Sequence, residues 1–481
     1  MIVQTAAGAL RGRNGAFLGV PYAAPVTDCN RFDAPTPMPP WAGVRDATRL
    51  GPVCPQVPTY GPVGTAATSA LTAGEDFRTV NIRTPDPNGR APVLVWIHGG
   101  GYAVGSANEP VLQSGAFAAS GIVEVTVNYR LGAMGFLHVP GRPDNRGLLD
   151  IVAALEWVRD TIAAFGGDPG RVTLAGRSAG GFAVAALMAM PAARGLFARA
   201  MPQSGAATAI AAPHDAGRLT RRMCDRLGTD DPCHVPLPDL LTAQRDLCNE
   251  SYERHDPGRD GRAAMLGVPF VPVLGPSLPV HPLEAARQGR TAPVPMMIGC
   301  TSAEYLTHAT ALPEGMTLRD VIHRLDPRVR PMGWTGAEIV ARYAAALPDH
   351  SPLGLWRAIA GDLVFQNPAT EFARAHAAHQ PVWKYLYGPC APDETGAPHG
   401  AEVGAVWYRR GMDQSVLPKR QRVADPEAAI VVHDIWAAFI KGAPNWTPYT
   451  AAAPWVMHVD GTTATIRRDP FDPRPALWTR P

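Results

Sequence analysis

Arg171-Val172-Thr173-Leu174-Ala175-Gly176-Arg177-Ser178-Ala179-Gly180-Gly181 is the stretch on which the fold turns. It begins as a short apolar run of strand type and breaks at Gly176 to Gly180, which fits G-x-S-x-G. Phe182 to Met190 then reads as an apolar helix. A strand, a tight turn and a helix are the context in which that motif exposes a serine. The turn forces Ser178 into a strained backbone conformation, and the flanking glycines leave room for it. The hydroxyl then stands clear of a sheet edge, which makes Ser178 a candidate nucleophile.

The chain has 481 residues, enough for two ordinary domains or one enlarged α/β domain. A formal net charge of +2 points to no nucleic acid and no acidic partner. Met1 to Gly12 has no apolar core behind a basic start, so no signal peptide is expected. No stretch approaches the roughly 20 apolar residues of a membrane span, so no membrane partner is expected either. The seven cysteines are odd in number and widely spaced, without a C-x-x-C pair. That pattern predicts reduced thiols in a cytoplasmic protein and no zinc site.

Outward from the serine turn, strand and helix alternate. Ala16 to Tyr22 reads as a strand entering a turn, and Asp76 to Thr84 as another, ending at Pro85-Asp86-Pro87-Asn88-Gly89. Pro92-Val93-Leu94-Val95-Trp96-Ile97 is a continuous apolar run, as expected of a strand buried on both faces. It leads directly into His98-Gly99-Gly100-Gly101-Tyr102, whose glycines leave backbone N–H groups free to aim at a ligand. Ile122 to Tyr129 is a further strand. Leu148 to Ala164 carries apolar residues at helical spacing, and Phe165-Gly166-Gly167-Asp168-Pro169 is a turn before the serine strand. Val294 to Ile298 and Val382 to Tyr387 read as later strands, and Ala428 to Ile440 as a late amphipathic helix. The alternation predicts a mostly parallel central sheet flanked by helices. There is no internal repeat and no linker. Residues 1–481 therefore read as one domain, with helical insertions at about 211–292 and 305–380 that shape a pocket.

With these motifs in order, the chain resembles the type-B carboxylesterases, the α/β-hydrolase family that includes the cholinesterases. Gly19-Val20-Pro21-Tyr22, Arg31-Phe32, Cys54-Pro55-Gln56, Glu75-Asp76 and Val80-Asn81-Ile82 carry the resemblance at the start. Trp96 to Gly101, Asn128-Tyr129-Arg130-Leu131-Gly132, Phe165 to Pro169, the serine turn and Gln203-Ser204-Gly205 continue it. Gly442-Ala443-Pro444-Asn445-Trp446 closes it, so it spans nearly the whole chain. The resemblance implies a serine hydrolase that cleaves carboxylic esters through an acyl-enzyme, without metal or cofactor. It implies a triad of Ser178, Glu304 and His399, the last in a G-x-x-H-G loop, Gly396 to Gly400. It implies an oxyanion hole from the N–H groups of Gly100, Gly101 and Ala179, and a serine, Ser204, that supports the triad acid. Both Glu304 and His399 lie in loops just past strand ends, where open α/β sheets bind ligands. His98 is a rival base by type, but the resemblance makes it part of the glycine loop.

Four departures from the family pattern stand out. Phe77 occupies the position of the family's partner for Cys54, so that disulfide cannot form. Cys224 and Cys233 lie where a second family disulfide falls, and are expected to be thiols. Ile151 and Thr161 replace family polar residues near the long helix. Arg177 stands where the family has glutamate before the serine. The resemblance places Arg177 beside Glu402, so a buried or half-buried ion pair between them is expected under the site. The same acyl-enzyme chemistry would also serve an amide or carbamate hydrolase, or an acyltransferase or cyclase of a biosynthetic pathway. A non-catalytic binding protein of the same fold is a further alternative, disfavoured because all three triad residue types are present. The insertions carry no readable code for the acyl or alcohol group, and oligomeric state has no sequence signal.

Overall fold

In the computed structural model, which describes residues 1–58, 72–254, 256–261, 267–305, 315–390 and 396–480, the apolar run ending at Ile97 forms the strand Ala91–Ile97, buried along almost its whole length. It lies inside a ten-stranded sheet. In chain order the strands are β1 (Ala16–Pro21), β2 (Thr79–Arg83), β3 (Ala91–Ile97), β4 (Val123–Val127) and β5 (Gly167–Arg177). They continue as β6 (Arg199–Gln203), β7 (Met296–Thr301), β8 (Val382–Tyr387), β9 (Trp455–Asp460) and β10 (Thr463–Arg468). Their order across the sheet is β1-β2-β4-β3-β5-β6-β7-β8-β9-β10. Pairing is parallel from β4 through β9 and antiparallel only at the two margins. A separate small sheet joins Ile2–Gln4, Ala9–Arg11 and Val44–Asp46.

The two faces of β3 show why the run is apolar throughout. Alternate side chains point to opposite faces of a strand. Val93, Val95 and Ile97 enter one cluster with Ile151, Leu155, Val184 and Leu187. These come from the helices Arg146–Thr161 and Ala179–Ala189. Leu94 and Trp96 enter a second cluster with Phe117, Trp407 and Trp436. There Trp96 meets Trp407 edge to face, at 5.3 Å and 85°.

A buried ion network explains several of the motif residues. Arg130 and Asp150 are both fully buried and pair through two guanidinium contacts of 2.8 and 2.7 Å. Asp150 also faces Arg78, while Arg130 donates to the carbonyls of Arg31 and Asp33. The bidentate geometry and the extra donors compensate the loss of hydration on both charges. The network ties the N-terminal segment to the centre of the sheet.

The two stretches expected as insertions hold the helices Pro213–Leu227 and Leu237–Arg254, then Leu318–Val329, Gly336–Ala346, Pro352–Gly361 and Asn367–Ala377. The last two are joined through a π-helical segment, Asp362–Gln366. Boundaries shift from expectation in a few places. The long helix begins at Arg146 rather than Leu148, and Gly167 to Pro169 already belong to β5 rather than to the turn. The hairpin β9–β10 and the strand β6 were not expected, because neither has a run of apolar residues long enough to stand out. All seven cysteines are free, Cys224 and Cys233 among them. Cys54 accepts the N–H of Leu131 at 3.4 Å, and Phe77 is buried. Among the described residues no helix is long and apolar enough to cross a membrane.

Candidate active site

The site forms at the C-terminal edge of the parallel strands, where β3, β5, β6, β7 and β8 end together. Gly176 pairs with Ile97, Arg177 with Gln203, Gln203 with Gly299, and Thr301 with Tyr387. Strand order reverses at β3 and β5, so the loops leaving those two strands diverge and open a crevice.

Ser178 occupies the turn between β5 and the helix Ala179–Ala189, with φ 58° and ψ −122°. This is the left-handed half of backbone space, which costs a non-glycine residue of order 1–3 kcal/mol. Two hydrogen bonds hold it there: its N–H donates to Gln203 and its carbonyl accepts from Phe182, both at 2.9 Å. Close packing adds to this, because a Cβ on Gly180 would sit 2.0 Å from the Ile97 carbonyl oxygen. Only glycine lets the helix start so near the end of β3.

The glycine loop follows β3 directly. Gly100 has φ +114°, and a Cβ there would lie 1.9 Å from the Val104 oxygen. Its carbonyl accepts from Ala103 and Val104, which fixes the loop. Among the described residues the N–H groups of Gly100 and Gly101 donate to no backbone carbonyl. Ala179 opens its helix, so its N–H has no intrahelical partner. His98 is turned away from this chemistry. Its ring stacks on Tyr129 at 4.6 Å and donates to the Gly99 carbonyl, and burial pulls its pKa down to about 4.

Glu304 and His399 are brought together by two loops that pair with each other. Ala303 bridges Pro398, its N–H donates to Ala397, and the Ala397 N–H donates to the Ser302 hydroxyl at 3.0 Å. Glu304 is buried, and both its oxygens are used. Oε1 accepts the Ser204 hydroxyl at 2.6 Å and the Thr301 N–H at 2.8 Å. Oε2 lies 2.5 Å from Nδ1 of His399. Burial alone would raise the Glu304 pKa; the charge of His399 and these hydrogen bonds outweigh it and hold the carboxyl below its ordinary value. Ser204 is itself held at φ 43°, aimed by the N–H it donates to Gly299. His399 is half-buried and lies against Phe365, ring centroids 4.7 Å apart, while Phe365 stacks on Phe182 of the serine helix. Phe365 escaped the reading of the sequence. It falls in the π-helical segment, a backbone irregularity without a residue signature.

The expected ion pair between Arg177 and Glu402 does not form. Both Glu402 oxygens are buried and accept no hydrogen bond among the described residues. Burial, then the charge of Glu304, raise the Glu402 pKa to about 7, and Arg177 offsets this only in part. The guanidinium instead lies between two glycines. A Cβ on Gly400 would meet its Nη1 at 2.3 Å, and one on Gly99 its Nη2 at 3.3 Å. There Arg177 stays half-buried, whereas a pair with Glu402 would cost the hydration of both charges.

Comparison with known proteins agrees with this architecture. Residues 1–478 match the sequence profile of the carboxylesterase family. The chain belongs to the carboxylesterase family. It is similar to the para-nitrobenzyl esterase of Bacillus subtilis (strain 168), 35% identical over 491 residues that cover 97% of this chain and 94% of the relative. It is also similar to the phenmedipham hydrolase of Pseudarthrobacter oxydans, 33% identical with 97% of both chains covered. A solved structure of a PNB esterase superposes with a TM-score of 0.84 at 33% identity, with all of both chains covered. A carboxylesterase of Geobacillus stearothermophilus superposes at 0.83 and 32%, covering 99% of this chain and 100% of that one. This carboxylesterase is therefore an α/β-hydrolase and a carboxylic-ester hydrolase acting on small-molecule esters.

Proposed function

We propose that this carboxylesterase works through a Ser178–His399–Glu304 triad and a covalent acyl-enzyme. The observation that carries the proposal is the fully engaged Glu304, with Oε1 held by Ser204 and Thr301 and Oε2 on the imidazole, beside a strained serine turn. Nδ1 of His399 is committed to Glu304, so Nε2 is the atom assigned to the Ser178 hydroxyl. His399 takes the serine proton as Oγ attacks the ester carbonyl, then gives it to the departing alcohol. Water repeats the cycle and frees the acid. Glu304 fixes the imidazole tautomer and stabilises its charged form.

The tetrahedral oxyanion is assigned to the N–H groups of Gly100, Gly101 and Ala179. Losing one such donor costs about 3–4 kcal/mol of transition-state stabilisation. No metal or cofactor enters this scheme. The chain is read as a single domain, because Leu219 and Leu240 of one helical stretch and Val321 and Phe372 of the other share a cluster with the sheet. Seven free thiols favour a reducing compartment, the cytoplasm.

Purified protein should turn over 4-nitrophenyl and 4-nitrobenzyl esters, and a fluorophosphonate should label it once. Ser178→Ala should lose both while keeping its fold. Label on another serine, or near-full activity in Ser178→Ala, refutes the mechanism.

A further inference from the structure

Arg177 contrasts with the partnered cations of the molecule. Asp150 pairs with Arg130, Asp362 with Arg474 and Asp469 with Lys384, while the buried Arg146 donates to the carbonyls of Met134, Pro143, Ala133 and Leu137. Arg177 forms no such pair among the described residues. Its guanidinium nevertheless sits at the chemistry. One point beside Gly99 lies 3.2 Å from Cβ of Ser178 and 3.3 Å from Nη2 of Arg177, and Nη1 touches Gly400, the residue after His399. The charge is thus wedged between the oxyanion loop and the histidine loop, and the two glycines make the slot it fills. The neighbouring Glu402 does not take its hydrogen bonds. A guanidinium has five donors in a planar fork and no acceptor, so half-buried it is stabilised by an anion that reaches it. The planar group that matches this fork is a carboxylate.

We propose that Arg177 binds a substrate carboxylate and that this enzyme prefers esters carrying one a few bonds from the scissile carbonyl. The inference rests on the ester-hydrolase reading and narrows its substrate class. The carboxylate can belong to the acyl part, as in a half-ester of a dicarboxylic acid, or to the alcohol part, as in an acylated hydroxy acid. Cationic esters are disfavoured in either case.

The test compares kcat/KM for three matched pairs with the full chain. 4-Nitrophenyl hydrogen glutarate is set against 4-nitrophenyl methyl glutarate, and 3-butyryloxybenzoate against its methyl ester. Butyrylthiocholine is set against its uncharged carbon isostere. In the wild type at low salt, the anionic ester of at least one of the first two pairs is expected to lead by about tenfold, the effect of one charge-assisted contact. Which pair responds says which side of the ester carries the anion. The lead should shrink as sodium chloride is raised. It should fall to about one in Arg177→Gln, invert in Arg177→Glu and survive in part in Arg177→Lys. A wild-type ratio at or below one in both anionic pairs overturns the inference, and that measurement needs no variant to fold. So does a ratio unchanged in Arg177→Gln, or a preference for the choline ester. If the neutral esters are hydrolysed in a Ser178-dependent way while these ratios stay flat, only the carboxylate preference fails. If no ester is hydrolysed through Ser178, the underlying reading fails and the inference with it.

Discussion

Glu304 and Glu402 are two carboxyls at one edge of the sheet, both buried, and their chemistry is opposite. Glu304 has a partner for each oxygen and is held below the ordinary carboxylate range. Glu402 has no hydrogen-bond partner for either oxygen among the described residues, and burial lifts it to about 7. The penalty for burying a charge acts on both. What separates them is a hydroxyl, a backbone N–H and an imidazole, aimed at one and not at the other. In this molecule a buried carboxylate is an anion by arrangement rather than by position.

The largest effect is expected from Glu304→Gln. The amide cannot hold the imidazole in the tautomer that accepts the serine proton, and kcat should fall by about 10⁴-fold with the fold retained. Steady-state kinetics and circular dichroism check this. Glu402→Gln should cost far less activity, because the Glu402 carboxyl makes no hydrogen bond among the described residues. Equal losses in the two variants would break the contrast.

Stability against pH distinguishes them next. Glu402 has a folded-state pKa raised above its unfolded value. Its contribution is fully present below about 4.5 and is lost as pH rises towards about 7. Glu402→Gln removes that loss, so at pH 8 the variant should be more stable than wild type, by about 3 kcal/mol at most. At pH 4 the two should be nearly equal. Urea denaturation at both pH values measures the difference. Glu304 runs the other way: its contribution is present above the unfolded carboxylate value and is lost as pH falls through its lowered folded value.

Ser204→Ala sharpens the comparison by moving Glu304 part of the way towards Glu402. Oε1 would keep only the Thr301 N–H. A loss of about 1–3 kcal/mol in stability is expected. The acid-induced loss of stability should begin at a higher pH than in wild type, because one of the bonds that lowers the Glu304 pKa is gone. An unchanged acid unfolding profile would show that the hydroxyl does not hold the carboxylate.

The smallest effect extends the same rule to thiols. Cys248 is buried, and desolvation pushes its pKa up to about 12, while Cys29 is exposed. Native alkylation should modify Cys29 and spare Cys248 until the protein is denatured, with little change in esterase rate. Peptide mapping by mass reads both sites.

Much of this arrangement was legible before folding. Ser178 stood out because a strand, a G-x-S-x-G turn and a helix follow one another without a gap, and local backbone rules demand that context. Gly100 and Gly101 were legible because a buried strand runs into them. Glu304, His399 and Ser204 were placed by ordered motifs, since histidine and glutamate as residue types say little among many. Strand order, the pairing of Ala303 with Pro398 and the position of Phe365 over His399 were not legible, because each depends on contacts between segments far apart in sequence.

Periodicity, glycine spacing and motif order are local, and they already place the residue types of the turn, the glycine loop and the two late loops. Where Arg177 points depends on the folded chain. Its pairing with Glu402 looked natural on a line of residues three positions past the histidine. In three dimensions two glycines open a slot over Gly400 and Gly99, and the guanidinium keeps part of its hydration there. Among the described residues Glu402 is left without a hydrogen-bond partner, and electrostatics at that range depends on distances that no spacing in sequence encodes.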